Sequence, residues 1–365
     1  MKKKRIGILS VTEGQGHGAE VVLCELLRGW SSQTLELVVM APEGSGVYET
    51  ARSLNFEVEV FEAGRDALLP NLLAARKIRK VCQQLDVIHA WTARGFELVA
   101  CMRTSSQQVL TGTLHDDPLA SFHGGVRRTI MRLAAGRLDA LGCVSSAVRD
   151  ACHSAGYSCA LEVLWNGLNE LPPGSNNQSQ GMTMSNESSV RIIFLGMYSQ
   201  MKGFTTVLRW IHDLGEGEEN IVWNLYGSVC RELEPAVANL DKGPYRVVIH
   251  GRVAPIQIFS DADILIHASE EFDSLPTVLI EAMRSGIPVV ASSLGGAREI
   301  VEEGKTGYLF DPAHPDEGLS KLKELIGDPS LRQTMGLHAR RVFEEKFQVS
   351  SMVERYHKFW QQLAD

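Results

Sequence analysis

The sequence predicts an α/β protein built as two doubly wound parallel-sheet domains facing a cleft. Three observations carry that expectation. Short apolar runs rich in β-branched residues recur along the chain, apolar on both faces and separated by helix-length segments, as parallel strands covered by helices require. The 365 residues suit two domains at about 100–200 residues each. Finally, residues 171–189, LPPGSNNQSQGMTMSNESS, interrupt the rhythm with a polar stretch that has almost nothing to bury, which marks an interdomain linker. The expected units are residues 1–170, residues 190–345, and a C-terminal segment, 346–365, that packs back across the junction.

Taken in order, the strands expected in the first unit are Arg5–Val11, Leu35–Met40, Val58–Phe61, Val87–Ala90, Val109–Thr111, Ala140–Val144 and Glu162–Leu164. The second unit gives Val190–Leu195, Ile221–Tyr226, Val247–His250, Ile264–Ala268, Val289–Ala291 and Tyr308–Phe310. The final segment, Phe347–Leu363, places Met352, Val353, Tyr356, Phe359, Trp360 and Leu363 at the spacing of one helical face.

Composition narrows the function classes. Hydrophobic residues are 44% and charged residues 22%, the balance of an ordinary globular chain, which argues against long disorder. Lys and Arg total 36 against 44 Asp and Glu, a net charge of −8, which argues against a nucleic-acid binder that relies on phosphate neutralisation. The whole deficit lies in the second half: residues 1–170 hold 18 basic and 18 acidic groups, residues 171–365 hold 18 and 26. No apolar run approaches the ~18 residues of a membrane span. The opening MKKKRIGILSV has an apolar run of about six residues, short of the ~7–15 of a secretory signal, and reads as a first strand. Seven scattered Cys without a CxxC pair fit reduced thiols in a cytoplasmic protein and exclude a disulfide scaffold or a Cys-based zinc site.

The strongest local signal is Glu270–Glu281, EEFDSLPTVLIE. Ser274 is placed to cap a helix that Leu275 and Pro276 open, since proline is tolerated in the first turn. The N–H groups around Thr277 and Val278 then make an anion site, reinforced by the helix dipole. Asp273 precedes this helix, and Glu281 sits one turn inside it. Two acceptor-only carboxylates beside an anion pocket suit a ligand that joins phosphates to hydroxyl-rich rings. On these residues alone, a charged group near a helix start plus a surface Glu is an equally open reading. A second signal is FLGMYSQMKGF, Phe194–Phe204, where a Lys-Gly turn after a strand directs an ammonium toward phosphate oxygens. The third is VTEGQGHGAE, Val11–Glu20, whose glycines permit close approach of a ligand; it departs from the GxGxxG dinucleotide fingerprint, which disfavours a nicotinamide-dependent dehydrogenase.

Taken in order, these pieces resemble the large retaining family four of nucleotide-sugar glycosyltransferases (glycosyl transferases group 1). The resemblance runs through GHGAE at residues 16–20, DVIHAW at Asp86–Trp91, GTLHDDP at Gly112–Pro118, CVSSAVRDAC at Cys143–Cys152 and LWNGLNE at Leu164–Glu170. It continues through the MKG turn, HGRV at His250–Val253, the acidic pair seven residues apart, EAM, GIPVVAS, GGAREIV and GKTGYLF. It implies a GT-B fold of two Rossmann-like domains and a donor that is a UDP- or GDP-sugar, with no other cofactor and no metal. By the same resemblance Lys202 would bind the donor diphosphate, Glu281 the nucleotide ribose, and Asp273 the hydroxyls of the transferred sugar. Backbone N–H groups of Leu275, Thr277 and Val278 would cap phosphate and sugar, Gly16 and His17 would approach from the other wall, and His115 would sit beside the sugar. Arg252 and Val253 would meet the base. The implied catalytic set is Lys202, His115 and Asp273.

Two departures stand out: Asp273 occupies a position where the family has Glu, and Met197 follows the strand glycine where the family has Arg. The second keeps a non-catalytic nucleotide-sugar-binding protein in play. An epimerase on the same fold is the other alternative, although no acid/base set around the sugar is evident. The resemblance further implies a saccharide or lipid-linked saccharide acceptor, bacterial polysaccharide or glycoconjugate assembly, and a cytoplasmic protein with peripheral contact at the inner membrane.

Several other features read as structural. Asp261-Ala262-Asp263 immediately precedes a buried-strand pattern and is expected to cap or terminate the preceding element rather than hold a metal. His115-Asp116-Asp117 with His123 could supply O/N ligands, but a donor-facing His115 is preferred. His89 and His267 end strands, and backbone-satisfied histidines are expected there. His123–Asp139 is expected to be a helix carrying Arg127, Arg128, Arg132 and Arg137, a solvated basic face in preference to a lipid-binding one.

Overall fold

A computed structural model describes residues 3–11, 18–61, 78–118, 125–171, 189–215, 220–240, 243, 246–251, 258–260 and 262–364. The chain divides into two units, residues 1–169 with 347–365, and residues 170–346. Most of the polar segment 171–189 falls outside the described residues.

In the first unit seven strands pair in parallel: β1 (Lys4–Leu9), β2 (Leu35–Ala41), β3 (Glu57–Val60), β4 (Val87–Ala90), β5 (Val109–Leu114), β6 (Ala140–Cys143) and β7 (Ala160–Val163). Their order is β3-β2-β1-β4-β5-β6-β7. Strand β1 lies inside the sheet, with Ile6 opposite Leu37 on one side and Val87 on the other, and its Ile6, Ile8 and Leu9 are fully buried. Strand β3 is an edge, and its sequence EVEV puts charge on exposed backbone, which blunts further pairing. Helices α1 (Gly18–Gly29), α2 (Gly46–Ser53), α3 (Gly125–Ala135) and α4 (Ser146–Ser154) alternate with the strands. Ser45 and Ser145 cap α2 and α4 by accepting from the N–H groups of Tyr48 and Val148. Helix α3 ends before Arg137, so the basic segment is shorter than the sequence predicts: Gly136 closes it in a turn.

The second unit is a six-stranded parallel sheet of β8 (Val190–Leu195), β9 (Ile221–Tyr226), β10 (Arg246–Gly251), β11 (Ile264–His267), β12 (Val289–Ser292) and β13 (Gly307–Phe310). Its order is β10-β9-β8-β11-β12-β13. Helices α5 (Phe204–Gly215), α6 (Thr277–Arg284), α7 (Pro315–Gly327) and α8 (Pro329–Val342) belong to it. Its core includes Trp210, Trp223, Phe204 and Phe310. Asp263, at the mouth of β11, accepts from the Arg191 N–H at 2.7 Å and so ties two neighbouring strands together; Asp261 lies outside the described residues.

The last helix, α9 (Val349–Ala364), returns to the first unit. Met352, Tyr356, Phe359 and Trp360 are buried against α1, β1 and β2, each burial contributing about 1.5–3 kcal/mol. Polar groups lock the register: His89 on β4 is bonded to Thr111 (2.8 Å), Thr113 (3.0 Å) and the Trp360 indole N–H (3.2 Å). His89 is therefore satisfied by side chains rather than by backbone, because its ring lies inside the sheet–helix layer where the local backbone is already paired. Burial, followed by the proximity of His115, lowers its pKa to about 3, so the ring is neutral near pH 7.

Strand β5 runs three residues past its expected end because Gly112 does not stop it; the Phe96 ring packs where a side chain would stand. No helix among the described residues is long and apolar enough to cross a membrane.

Candidate functional site

The strand order of the second sheet reverses between β8 and β11, so the loops leaving these neighbours diverge at their carboxyl ends, where a doubly wound sheet takes its ligand. Lys202 follows β8, His267 ends β11, and Asp273 follows it on the approach to α6. These three side chains meet. The Lys202 ammonium donates to Asp273 Oδ2 at 2.6 Å, and His267 Nε2 lies 3.3 Å from the same oxygen.

Glycine makes this meeting possible at two points. Gly203 has φ of +65°, and a Cβ there would overlap the Ala268 carbonyl oxygen, so only glycine brings the lysine turn onto the end of β11. Gly295, at φ +53°, rests in the same way on the Asp273 carbonyl, to which the Gly296 N–H donates at 2.9 Å. Further bonds pin the loops. The Glu270 N–H donates to Met201 O at 3.0 Å, and its carboxylate accepts from Thr205 and Thr206 in the first turn of α5.

Electrostatics follow from burial and partners. Burial pushes the Asp273 carboxyl up, but the hydrogen bond and charge of His267, with those of Lys202, more than offset it and hold it well below the usual carboxylate range. Asp273 is an anion throughout ordinary pH.

The helix start corrects one expectation. Ser274 is not the cap; Pro276 is, with φ −65° and ψ 107°, and no side chain caps the helix. The reason is local packing, since the Gly296 backbone sits against the Ser274 carbonyl and Leu275, which holds that stretch outside the helix. The first-turn N–H groups of Thr277 and Val278 have no intrahelical acceptor by helix geometry, and no side chain among the described residues caps the helix. Glu281, one turn further on, is 9% exposed; it is not the surface carboxylate of the alternative reading.

Lys202, Asp273, Leu275, Thr277, Val278 and Glu281 thus lie on two adjacent loops and one helix of the second unit. Met197, after β8, is 47% exposed and brings no cation. His115 belongs to the first unit, where it follows β5. Its ring is 5.2 Å from that of Trp91, and Nε2 is buried with no hydrogen-bond partner among the described residues. Burial lowers its pKa to about 3, against a hydrogen bond to the Trp91 backbone that raises it, so it is a neutral donor–acceptor and not a cation. Gly16, His17, Arg252 and Val253, like His123, lie outside the described residues. Among the described residues no group of three His, Cys, Asp or Glu side chains is arranged to hold a metal ion.

Sequence reasoning missed His267 and expected a backbone-satisfied strand-end histidine. Its bond to Asp273 arises from a chain reversal of six residues, and the only available signal was its place at the end of a strand beside the acidic motif.

Two doubly wound parallel sheets, one in each unit, make the fold of GT-B glycosyltransferase structures. The chain belongs to the family 4 group of these proteins: residues 16–170 match the Glycosyltransferase Family 4 model, and residues 178–342 match Glycosyl transferases group 1. It is 26% identical over 212 residues to an uncharacterised glycosyltransferase of Methanocaldococcus jannaschii, covering 56% of this chain and 53% of that protein, so it spans about half of that relative's length. To the GDP-mannose-dependent alpha-(1-6)-phosphatidylinositol monomannoside mannosyltransferase of Mycolicibacterium smegmatis it is 23% identical over 347 residues, 88% of this chain and 87% of the relative. The crystal structure of Anabaena HepE in complex with UDP-glucose superposes with a TM-score of 0.78 at 21% identity, covering 98% of this chain and 99% of HepE, a likeness of fold.

Proposed function

We propose that this protein is a retaining glycosyltransferase that moves a sugar from a UDP- or GDP-sugar to a hydroxyl of a saccharide or lipid-linked saccharide acceptor, in assembly of a bacterial polysaccharide or glycoconjugate. One observation carries the reading: Lys202, Asp273 and the uncapped start of α6 occur together at the switch point of one sheet.

Cleaving a sugar–diphosphate bond builds negative charge on the leaving phosphate and positive charge on the ring. The Thr277 and Val278 N–H groups are fixed by the helix before the reaction, and the Lys202 ammonium, poised beside Asp273, turns to the diphosphate; together they stabilise the leaving group, a contribution that is often the largest in catalysis. This division of charge among protein groups calls for no metal ion. Asp273, an anion, accepts hydrogen bonds from sugar hydroxyls, and Glu281 accepts from the ribose. Neither carboxylate is assigned as a nucleophile; both orient the donor. Retention then follows from same-face attack, with the departing phosphate taking the acceptor proton.

The exposed Met197, where the family resemblance has Arg, supports a second reading, a protein that binds nucleotide sugars without transferring them. Release of nucleoside diphosphate from a panel of UDP-, GDP- and ADP-sugars separates the two. Slow hydrolysis of at least one donor is expected from a transferase; binding without any release leaves only the second reading.

A further inference from the structure

We propose that His267 is a positioning residue of the transfer site: it fixes the Asp273 carboxylate so that one oxygen is held by the protein and the other is presented to the donor sugar. The proposal rests on the donor-site reading above and deepens it.

His267 is 6% exposed at the end of β11, and Nδ1 is buried without a hydrogen-bond partner among the described residues. The contact from Nε2 to Asp273 is therefore the one hydrogen bond its ring makes among the described residues. A buried ring with an unpaired nitrogen weakens a fold, so packing does not account for a histidine here; what its other nitrogen does is the better explanation. An ionised carboxylate only accepts, so Nε2 carries a hydrogen and donates it to Asp273.

The geometry of the acceptor completes the argument. Lys202 Nζ and His267 Nε2 both converge on Oδ2, at 2.6 and 3.3 Å. Neither bonds Oδ1. An aspartate has only two side-chain torsions, and two donors on a single oxygen, one from the loop after β8 and one from the end of β11, remove both freedoms. Oδ1 is then aimed by its partner oxygen and keeps its lone pairs for a hydroxyl. Lys202 alone would not achieve this, because its flexible stem is 39% exposed and is itself drawn toward the diphosphate. When the ammonium turns to phosphate, His267 still holds the carboxylate.

His267→Leu and His267→Asn test the proposal, each alone and in an Asp273→Asn background, with UDP, UDP-glucose, GDP and GDP-mannose as probes. In His267→Leu, turnover of the sugar donor is expected to fall about 10–10²-fold, the scale of a displaced positioning group, while affinity for the sugar-free diphosphate stays within about twofold. His267→Asn keeps an N–H donor and is expected to recover part of the loss. In the Asp273→Asn background, His267→Leu is expected to change turnover by less than about twofold, because a residue that acts through another is non-additive with it. Additive losses, or an equal loss of affinity for UDP or GDP, overturn the proposal. Carboxyl 13C NMR reads the same contact without catalysis: the Asp273 midpoint is expected to rise in His267→Leu, and an unmoved midpoint overturns the proposal. A wild-type protein inert toward every donor would overturn the functional reading instead, and the Asp273 titration would still decide the role of His267.

Discussion

At the scale of single residues, charge decides who does what. Lys202 is asked to stabilise a leaving diphosphate, so Lys202→Ala should lower turnover on the order of 10²–10³-fold, as removal of one preorganised donor does. Glu281 is assigned to a part of the donor that does not react, so Glu281→Ala should chiefly raise the donor dissociation constant; steady-state kinetics on both variants reads the contrast. Asp273 predicts a pH effect of definite sign. Its folded pKa is lowered, so its contribution to stability is full above the ordinary carboxylate value, about 3.9, and is lost as pH falls from there toward the folded value. Thermal unfolding of wild type and Asp273→Asn should differ most near neutrality and converge below about pH 4. The residues of this site were partly legible in the sequence. Lys202, Asp273, Thr277 and Glu281 sit in short motifs that the sequence picks out, and the family resemblance implies their roles. The Lys202–Asp273 pair spans 71 positions, and only the fold reveals it.

At the scale of elements, the site depends on turns rather than on helices or strands themselves. Gly203→Ala places a methyl against the Ala268 carbonyl in a left-handed backbone and has no cheap relaxation, since the obstacle is backbone. A loss of stability on the order of 2–4 kcal/mol in urea unfolding is expected, with displacement of Lys202. Here the sequence was a good guide to strands and a poorer one to their ends. Runs apolar on both faces announce buried parallel strands, and each of the expected runs overlaps a strand. Ends depend on neighbours: β5 continues through Gly112 because β4 and β6 pair with it and Phe96 fills the gap, none of which local propensity contains. The same limit misplaced the α6 cap, where Gly296 packing outranked the Ser274 preference.

At the scale of the whole molecule, the chain closes on itself through α9, which leaves the second unit's sequence and completes the core of the first. Its polar seam is His89 with Thr111, Thr113 and Trp360, and Thr113 also meets the Tyr356 hydroxyl at 3.1 Å. Because His89 and His115 resist protonation until about 3, the unfolded chain takes up protons first as pH falls below its ordinary histidine value, about 6.5, and stability drops across that window. His89→Gln should make thermal unfolding less sensitive to pH between about 7 and 5. The central claim, that the switch point of the second sheet grips a diphosphate with Lys202 and the start of α6, has a direct test in titration calorimetry of UDP, GDP and ADP against wild type and Lys202→Ala. At least one nucleoside diphosphate should bind the wild type, with affinity reduced tenfold or more, about 1.4 kcal/mol, in the variant. Equal affinity in the two proteins, or binding of none of the three, would contradict it.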